Sequence, residues 1–288
     1  MRLTRVLLLV AIVLCGAAPA SAQLLAAKDG PIVYGHHHLN VSDVEVTKRF
    51  FADVLGATVI KVGTNNQEIV RMPNAFIFLR AQKPTGGNKG TAMDHIGISV
   101  PDLPAVLAKV KAAGYRVATA AEAMPGIHVN GDIGTIPGAA VSGVAFVFGP
   151  DELKVELVEL KTQTAPIASH HLHFAGLNRD MQAWYMKTFG AVERTPSLPD
   201  AFVTAALPGL TMNFNPVPEG VPGTQGRVLD HVGFEVKGLE AFVKKLEADG
   251  VKLASPMRQV PALGITVAFF TDPWGTYIEL TEGLDKIQ

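Results

Sequence analysis

The chain has 288 residues, of which 48% are hydrophobic, and its 25 basic side chains nearly balance 26 acidic ones. This composition is typical of a globular protein, and it gives no sign of a nucleic-acid partner, which a strongly basic chain would suggest. A single cysteine excludes a disulfide framework.

Residues 1–22 have the pattern of a secretory signal peptide. Arg2 and Arg5 precede an apolar run from Val6 to Cys15, and Ala20-Ser21-Ala22 has the small-residue spacing of a cleavage site. The apolar run is too short to span a bilayer. We therefore predict a periplasmic or secreted protein that has no membrane contact after the signal peptide is cleaved.

One unit then occurs four times along the chain. Each copy contains a short strand with a histidine, an amphipathic stretch, and a glycine that precedes a new strand. The histidine and the glycine are separated by 20, 19, 19 and 19 residues in the pairs His36 and Gly56, His95 and Gly114, His171 and Gly190, and His231 and Gly250. Such a period indicates a repeated supersecondary module.

The first and third modules each carry a His-x-His pair. In the first strand of the first module, the apolar side chains leave His36 and His38 together on the polar face, and the same alternation groups His171 with His173 in the third module. We interpret His38 and His173 as residues of a cavity wall, or as groups that support a site, rather than as its ligands.

The second and fourth modules begin with strands that alternate between apolar and polar residues. In Met93–Val100 and Leu229–Val236 the alternation places His95 and His231 on the face opposite the apolar side chains. Apolar residues follow each strand at i, i+3, i+4 and i+7, which predicts a helix that packs on the apolar face.

The closing strands of these two modules each carry a glutamate. Proline stands six residues before Glu156 and before Glu279. Both glutamates lie among alternating apolar residues, on a face that would line an interior, and a carboxylate there needs a partner. The histidines are the available partners.

The chain divides into two halves at the polar segment 161–167. Its proline and its lack of an apolar period indicate a linker. We therefore predict one domain over residues 32–160, from modules one and two, and another over residues 168–283, from modules three and four. The second module also has an insertion between Thr119 and Gly143, rich in Ala, Gly and Pro, which predicts a long loop in the position of a lid.

These motifs resemble the vicinal oxygen chelate superfamily, which includes glyoxalase I, bleomycin-resistance proteins and extradiol dioxygenases. The similar segments are His-Ile-Gly-Ile-Ser-Val-Pro-Asp-Leu at 95–103, its copy from His231, and Asp-Pro-Trp-Gly-Thr-Tyr-Ile-Glu-Leu at 272–280. The resemblance covers nearly all of the chain beyond residue 22. It implies an α+β fold in which four βαβββ-type modules pair into two domains with cupped sheets.

The resemblance also implies a divalent metal ion in each domain, held by a first-strand histidine from each module and a last-strand glutamate. Carried over by position, the ligands are His36, His95 and Glu156 in the first domain, and His171, His231 and Glu279 in the second. Two histidines and one carboxylate leave coordination positions open, as a catalytic site requires. This ligand set suits Fe(II), Mn(II), Zn(II) or Ni(II).

The resemblance implies an enzyme that chelates two oxygens of a small oxygen-rich substrate at the metal ion, in a lyase, isomerase or dioxygenase reaction, and the signal-peptide pattern predicts that it is exported. The last strands of the first and third modules, within 75–79 and 210–214, lack the further carboxylate of glyoxalase I. Glu235 and Tyr277 share the polar face of the fourth module and could act there as base and acid, which favours turnover in the second half.

Two alternatives stay open at this point. The first is a binding protein of the bleomycin-resistance type, which sequesters a small molecule without chemistry. The second is that one half is catalytic and the other is an inert scaffold. This class of protein also allows a homo-oligomer.

Overall fold

The structure is a computed structural model that describes residues 32–217 and 220–287. The predicted signal peptide lies outside these residues. In the described part of the chain, no helix is both long and apolar enough to cross a membrane. The fold is of the predicted α+β class and contains two curved sheets built from four modules.

The first two modules each begin with a strand that carries histidine. The first module contains β1 (Ile32–Val41), α1 (Val44–Arg49) with a π-helical turn (Phe50–Val54), β2 (Thr58–Val62), β3 (Gln67–Met72) and β4 (Ala75–Ala81). The second contains β5 (Met93–Val100), α2 (Leu103–Ala112), β6 (Arg116–Val117), α3 (Thr119–Glu122), β7 (His128–Asn130), β8 (Ile133–Thr135), β9 (Val144–Phe148) and β10 (Lys154–Glu159).

The insertion in the second module is more regular than the sequence predicts, because it contains α3, β7 and β8. The Thr119 hydroxyl donates to the Asp132 carbonyl and accepts from the Phe146 amide. These bonds attach the insertion to β9.

The third and fourth modules repeat the pattern without such an insertion. The third contains β11 (Ala168–Gly176), α4 (Asn178–Phe189), β12 (Val192–Arg194), β13 (Val203–Leu207) and β14 (Leu210–Pro216). The fourth contains β15 (Leu229–Val236), α5 (Leu239–Ala248), β16 (Leu253–Val260), β17 (Ile265–Thr271) and β18 (Tyr277–Glu282), followed by a 3-10 turn (Leu284–Lys286).

Each sheet combines two modules. Sheet A joins the fourth and first modules in the order β16-β17-β18-β15-β1-β4-β3-β2. Sheet B joins the third and second modules in the order β12-β13-β14-β11-β5-β10-β9-β8-β7, with β6 paired to β9. At the centre of each sheet the first strands of the two modules pair antiparallel, β1 with β15 and β5 with β11.

This pairing differs from the sequence-based prediction, in which residues 32–160 close one sheet and residues 168–283 close the other. All four first strands share the same alternation of apolar and polar residues. That alternation determines which face is buried, but it does not determine which strand is the neighbour. The structure therefore groups the predicted ligands differently from the sequence-based prediction. The domain boundaries at residues 32–160 and 168–283 stay a prediction.

Within each half, the modules contact each other through their apolar faces. Phe50 packs on Tyr115 with ring centroids 4.8 Å apart, and Phe189 packs on Phe234 at 4.9 Å. One hydrophobic core thus includes residues of all four modules. The helices cover the apolar faces of the sheets, and the histidine-bearing faces are left for a site.

Candidate metal centres

On sheet A, the polar face brings together three histidines and a glutamate, here called the sheet A cluster: His36, His38, His231 and Glu279. Their ligand atoms all lie within 4.8 Å of one another. Oε2 of Glu279 lies 2.9 Å from Nε2 of His36 and 2.9 Å from Nε2 of His231. Both imidazole rings are buried.

Sheet B carries the same arrangement, here called the sheet B cluster: His95, Glu156, His171 and His173. Oε2 of Glu156 lies 3.0 Å from Nε2 of His95 and 3.2 Å from Nε2 of His171. Burial alone would raise the pKa of Glu156, but the two histidines hold it well below its usual range. The carboxylate is therefore an anion.

The six residues predicted as ligands thus all lie in the two clusters, in a different grouping. His36 lies with His231 and Glu279, and His171 lies with His95 and Glu156. The resemblance had placed His36 with His95, and His171 with His231. These two assignments are wrong because β1 pairs with β15 and β11 pairs with β5.

A glycine in each even module makes room for the histidine of its partner. Gly97 pairs with His171 across sheet B, and Gly233 pairs with His36 across sheet A. A Cβ atom on Gly97 would lie 2.1 Å from the ring of His171, and one on Gly233 would lie 1.9 Å from the ring of His36. The His-x-Gly motif therefore positions both its own histidine and the opposite one.

An aspartate orients one histidine in each cluster. Asp94 Oδ1 lies 2.7 Å from Nδ1 of His95, and Asp230 Oδ1 lies 2.6 Å from Nδ1 of His231. These contacts direct Nε2 of each ring toward the glutamate. Burial alone would lower the pKa of His95, but the contacts with Asp94 and Glu156 raise it above its ordinary value. The sequence did signal these partners, since aspartate directly precedes the histidine in both even modules.

The third histidine of each cluster lies closer to the site than the sequence analysis proposed. The ring centroid of His38 is 4.4 Å from that of His231, and His173 lies at the same distance from His95. His173 Nε2 contacts Oδ1 of Asn215 at 2.6 Å. Burial lowers the pKa of His173 well below its ordinary value, so the ring is neutral and can donate a lone pair.

Both clusters fit a divalent metal ion. In each, two imidazole Nε2 atoms face one carboxylate oxygen, and nitrogen and oxygen donors in this number suit the transition metals predicted from the sequence. Among the described residues of the sheet B cluster, Nε2 of His171 and Nδ1 of His173 are buried without a hydrogen-bond partner. Such unpaired buried atoms are uncommon in proteins, and a metal ion would give them a partner.

The two residues predicted as acid and base lie in different surroundings. The ring of Tyr277 lies 5.5 Å from that of His231, beside the sheet A cluster. Glu235 is not brought to the cluster: its carboxylate accepts hydrogen bonds from the Thr281 hydroxyl and from the amides of Gly283 and Leu284. Glu235 thus anchors the 3-10 turn after β18, and its role as a base stays a prediction that no contact supports.

The anchoring role predicts a specific pH dependence of stability. Burial raises the pKa of Glu235 from an ordinary value of 4.5 to about 7, although its hydrogen bonds lower it. The folded protein therefore holds this proton more tightly than the unfolded chain, so the stabilising contribution of Glu235 is fully present below pH 4.5 and is lost as the pH rises through about 7. The contribution that is lost corresponds to about 3 kcal/mol.

We expect Glu235→Gln to remove this loss, because a glutamine can still accept from the two amides and donate to Thr281. Urea unfolding at pH 4.5 and pH 8 would show a smaller fall in the free energy of unfolding for the variant than for the wild type. Equal falls in the two proteins would contradict the buried-acid interpretation. Glu247→Gln, an exposed glutamate on α5, is the matched control.

A cavity of about 320 Å³ opens beside the sheet B cluster, and Glu156, His171 and His173 form one wall of it. The insertion 119–143 supplies a second wall, and segment 195–202 of the third module supplies a third. The larger apolar side chains of these two walls are Met124, Ile136, Val141, Leu198 and Phe202. The insertion thus covers one side of the cavity, a position that is compatible with the predicted lid.

Charged side chains connect the insertion to the sheet B cluster. Glu122 of α3 contacts Lys154 at 3.1 Å, and Lys154 contacts Asp94 at 2.5 Å. Asp94 in turn contacts His95. Because the side chains of Glu122 and Lys154 are each only 6% exposed, salt screens these pairs weakly. The position of the insertion is therefore coupled to the orientation of a candidate metal ligand.

Paired βαβββ modules, with a histidine and glutamate cluster on the inner face of each sheet, define a vicinal oxygen chelate fold. The chain belongs to the Glyoxalase/Bleomycin resistance protein/Dioxygenase superfamily, whose family model matches residues 33–157 and 179–280. No curated protein sequence matches the chain.

Solved structures agree with this fold. Glyoxalase I from Zea mays is 16% identical, with a TM-score of 0.65 over 88% of this chain and 94% of that chain. A putative dioxygenase from Bacillus subtilis subsp. subtilis str. 168 is 12% identical, with a TM-score of 0.62 over 86% of this chain and 84% of that chain. At these identities the likeness shows the fold alone.

Proposed function

We propose that the protein is an exported metal-dependent enzyme that acts on a small oxygen-rich substrate through bidentate chelation. The main support is the sheet B cluster, in which Glu156 and His171 line a cavity large enough for a small molecule and His95 contacts the same glutamate. A divalent metal ion held there would act as a Lewis acid toward two neighbouring oxygens of the substrate.

The protein's own side chains have separable tasks in this proposal. Glu156 and the two first-strand histidines would hold the ion, and Asp94 keeps His95 in the orientation that presents Nε2. The apolar side chains of two walls lower the local dielectric constant, which strengthens electrostatic interactions inside the cavity. The insertion, tied to Asp94 through Lys154, closes one side.

The register of the odd modules argues against a glyoxalase-type proton transfer. Glu156 lies beside Gly97, two residues after His95. In the first and third modules, the equivalent positions on the last strand are Phe78, which lies beside His38, and Asn213, which lies beside His173. Neither side chain can serve as the carboxylate base that the resemblance to glyoxalase I requires, so a lyase of that particular type is not proposed.

The competing function is a sequestering protein that holds a small molecule in the same cavity without turnover. A cavity alone suits both functions. The buried glutamate with converging histidine nitrogens favours the enzyme, because a purely apolar ligand pocket has no use for an anion whose burial is unfavourable. Export to the periplasm or beyond the cell is part of the proposal, and its support is the sequence of residues 1–22.

Metal content tests both the function and the regrouping of ligands. We expect one to two equivalents of divalent metal per chain after loading with Mn(II), Zn(II), Fe(II) or Ni(II). His36→Ala and His231→Ala should remove the same equivalent, and the double variant should lose no more than either alone. His95→Ala and His171→Ala should share the other equivalent.

Elemental analysis of each purified variant gives the answer. A shared equivalent between His36 and His95 would contradict the pairing of β1 with β15. Absence of metal from the wild type under all four loading conditions would refute the proposed function and favour the sequestering protein.

A further inference from the structure

The two clusters have the same ligands but different charges around them. This difference bears on what each cluster binds, and the inference drawn from it rests on the proposed metal-dependent function. On sheet A, the exposed Arg80 and Arg258 lie on strands β4 and β16, on either side of the strands that carry the cluster, whereas no lysine or arginine is among the described residues that line the sheet B cavity.

Arg80 lies on the same face of sheet A as the cluster. On β4, Phe78 pairs with His38 of β1, and Arg80 pairs with Asn40. Because Arg80 follows Phe78 by two residues on the same strand, both side chains lie on the same face of the sheet. Phe78 stacks on His38 with ring centroids 6.0 Å apart.

Arg258 lies on β16, across the cluster from Arg80 within sheet A. It pairs with Val267 of β17, and its guanidinium carbon lies 5.9 Å from the ring centroid of Phe269. Phe269 stacks on Tyr277 at 5.6 Å, and Tyr277 lies 5.5 Å from His231. A continuous row of side chains therefore leads from Arg258 to the cluster.

Both arginine side chains are available to a ligand. Each is exposed, and within the described ranges neither takes part in a salt bridge. A guanidinium binds a carboxylate through two parallel hydrogen bonds, which gives arginine a particular preference for small carboxylates. His38 and Tyr277 are half-buried, so solvent reaches the cluster between the arginines.

The sheet B cavity offers no such partner. Among the described residues that line it, there is no lysine or arginine. Lys154, which contacts Asp94 beside His95, is already paired with Asp94 and Glu122. Apart from the metal ion itself, an anionic group in this largely apolar cavity would have no cationic partner, so its burial is less favourable there.

We propose that the two clusters bind chelating ligands of different charge. The sheet A cluster takes a small carboxylate with an oxygen on the neighbouring carbon, of the 2-oxo acid type, and Arg80 and Arg258 bind its negative charge. The sheet B cluster takes an uncharged molecule with two neighbouring oxygens and an apolar body.

Calorimetric titration of the metal-loaded full chain tests this with two probes, pyruvate as the anion and catechol as the neutral chelator. The double variant Arg80→Gln/Arg258→Gln should bind pyruvate at least about tenfold more weakly, since it lacks both charge-assisted partners. Its affinity for catechol and its metal content should not change. Arg179→Gln, an exposed arginine on α4, is the matched control and should leave both affinities unchanged.

Single-cluster variants assign each probe to a cluster. His231→Ala should abolish pyruvate binding and spare catechol, and His95→Ala should do the reverse. Raising the salt concentration from 50 to 500 mM should weaken only pyruvate binding, because screening acts on the exposed arginines.

The inference is overturned if the double arginine variant binds pyruvate as the wild type does, if one cluster binds both probes, or if either probe fails to bind a metal-loaded wild type at millimolar concentration. These results differ from a failure of the proposed function, which would appear first as a wild type that binds no metal.

Discussion

Gly97→Ala is expected to remove the metal ion of the sheet B cluster while the sheet A cluster keeps its own, and Gly233→Ala is expected to do the opposite. The added methyl group on residue 97 would lie 2.1 Å from the ring of His171, a distance that no pair of carbon atoms tolerates. His171 is 3% exposed, so its ring has little room to move. Neither glycine has a positive φ, hence the backbone itself accepts alanine.

The expected magnitude is large for metal affinity and moderate for stability. Overpacking of a core by one methyl group costs about 1–3 kcal/mol, whereas displacement of a ligand ring should weaken metal binding by at least about 100-fold, more than loss of an outer partner does. Metal content and thermal unfolding, measured on the same preparations, separate the two effects.

Gly86→Ala is the matched control for this pair. A Cβ atom there would meet only the end of the flexible Arg227 side chain, at 2.9 Å, so both metal equivalents should remain. Retention of wild-type metal affinity in Gly97→Ala and Gly233→Ala would show that the histidine rings are not held as the glycine contacts imply.

The six candidate ligands could be predicted from the sequence because each belongs to a local pattern. His95 and Glu156 lie in one module, on strands β5 and β10 that pair in parallel, and the same holds for His231 and Glu279. Face alternation placed all four of these residues on the polar faces of their strands, and the resemblance then grouped them as ligands. These local pairs are unaffected by which module lies across the sheet.

The partner histidine from the other module was not predictable in the same way. His36 and His171 lie on strands with the same alternation and the same His-x-His pair, so either could neighbour β5 or β15. The choice depends on packing between whole modules. Contacts such as that of Phe50 with Tyr115 involve the apolar faces, where the sequence shows only that a residue is hydrophobic.

The role of Glu235 could not be read from the sequence for a related reason. Its face was predicted correctly, because it lies on the inner face of β15 as His231 does. Its hydrogen bonds, however, come from Gly283 and Leu284, which follow the last strand and have no periodic pattern. Likewise, the cavity at the sheet B cluster depends on where the insertion 119–143 folds.

Glu156→Gln is expected to lower kcat by at least about 100-fold for whichever vicinal diol or catechol proves to be a substrate. Glutamine has the shape of glutamate without its charge, so the ion at the sheet B cluster would lose its only carboxylate ligand among the described residues. Glu279→Gln is the matched control, because it removes the equivalent group from sheet A and should leave most of the activity.

The reason for placing turnover at sheet B is the cavity rather than the ligands, which the two clusters share. Glu156 lines a cavity of about 320 Å³ that the insertion and segment 195–202 enclose, whereas Tyr277 and His38 leave the sheet A cluster open to solvent. A site that excludes water strengthens the interactions that stabilise developing charge. If Glu279→Gln abolishes activity and Glu156→Gln spares it, the catalytic cluster is the one beside Tyr277, as the sequence first indicated.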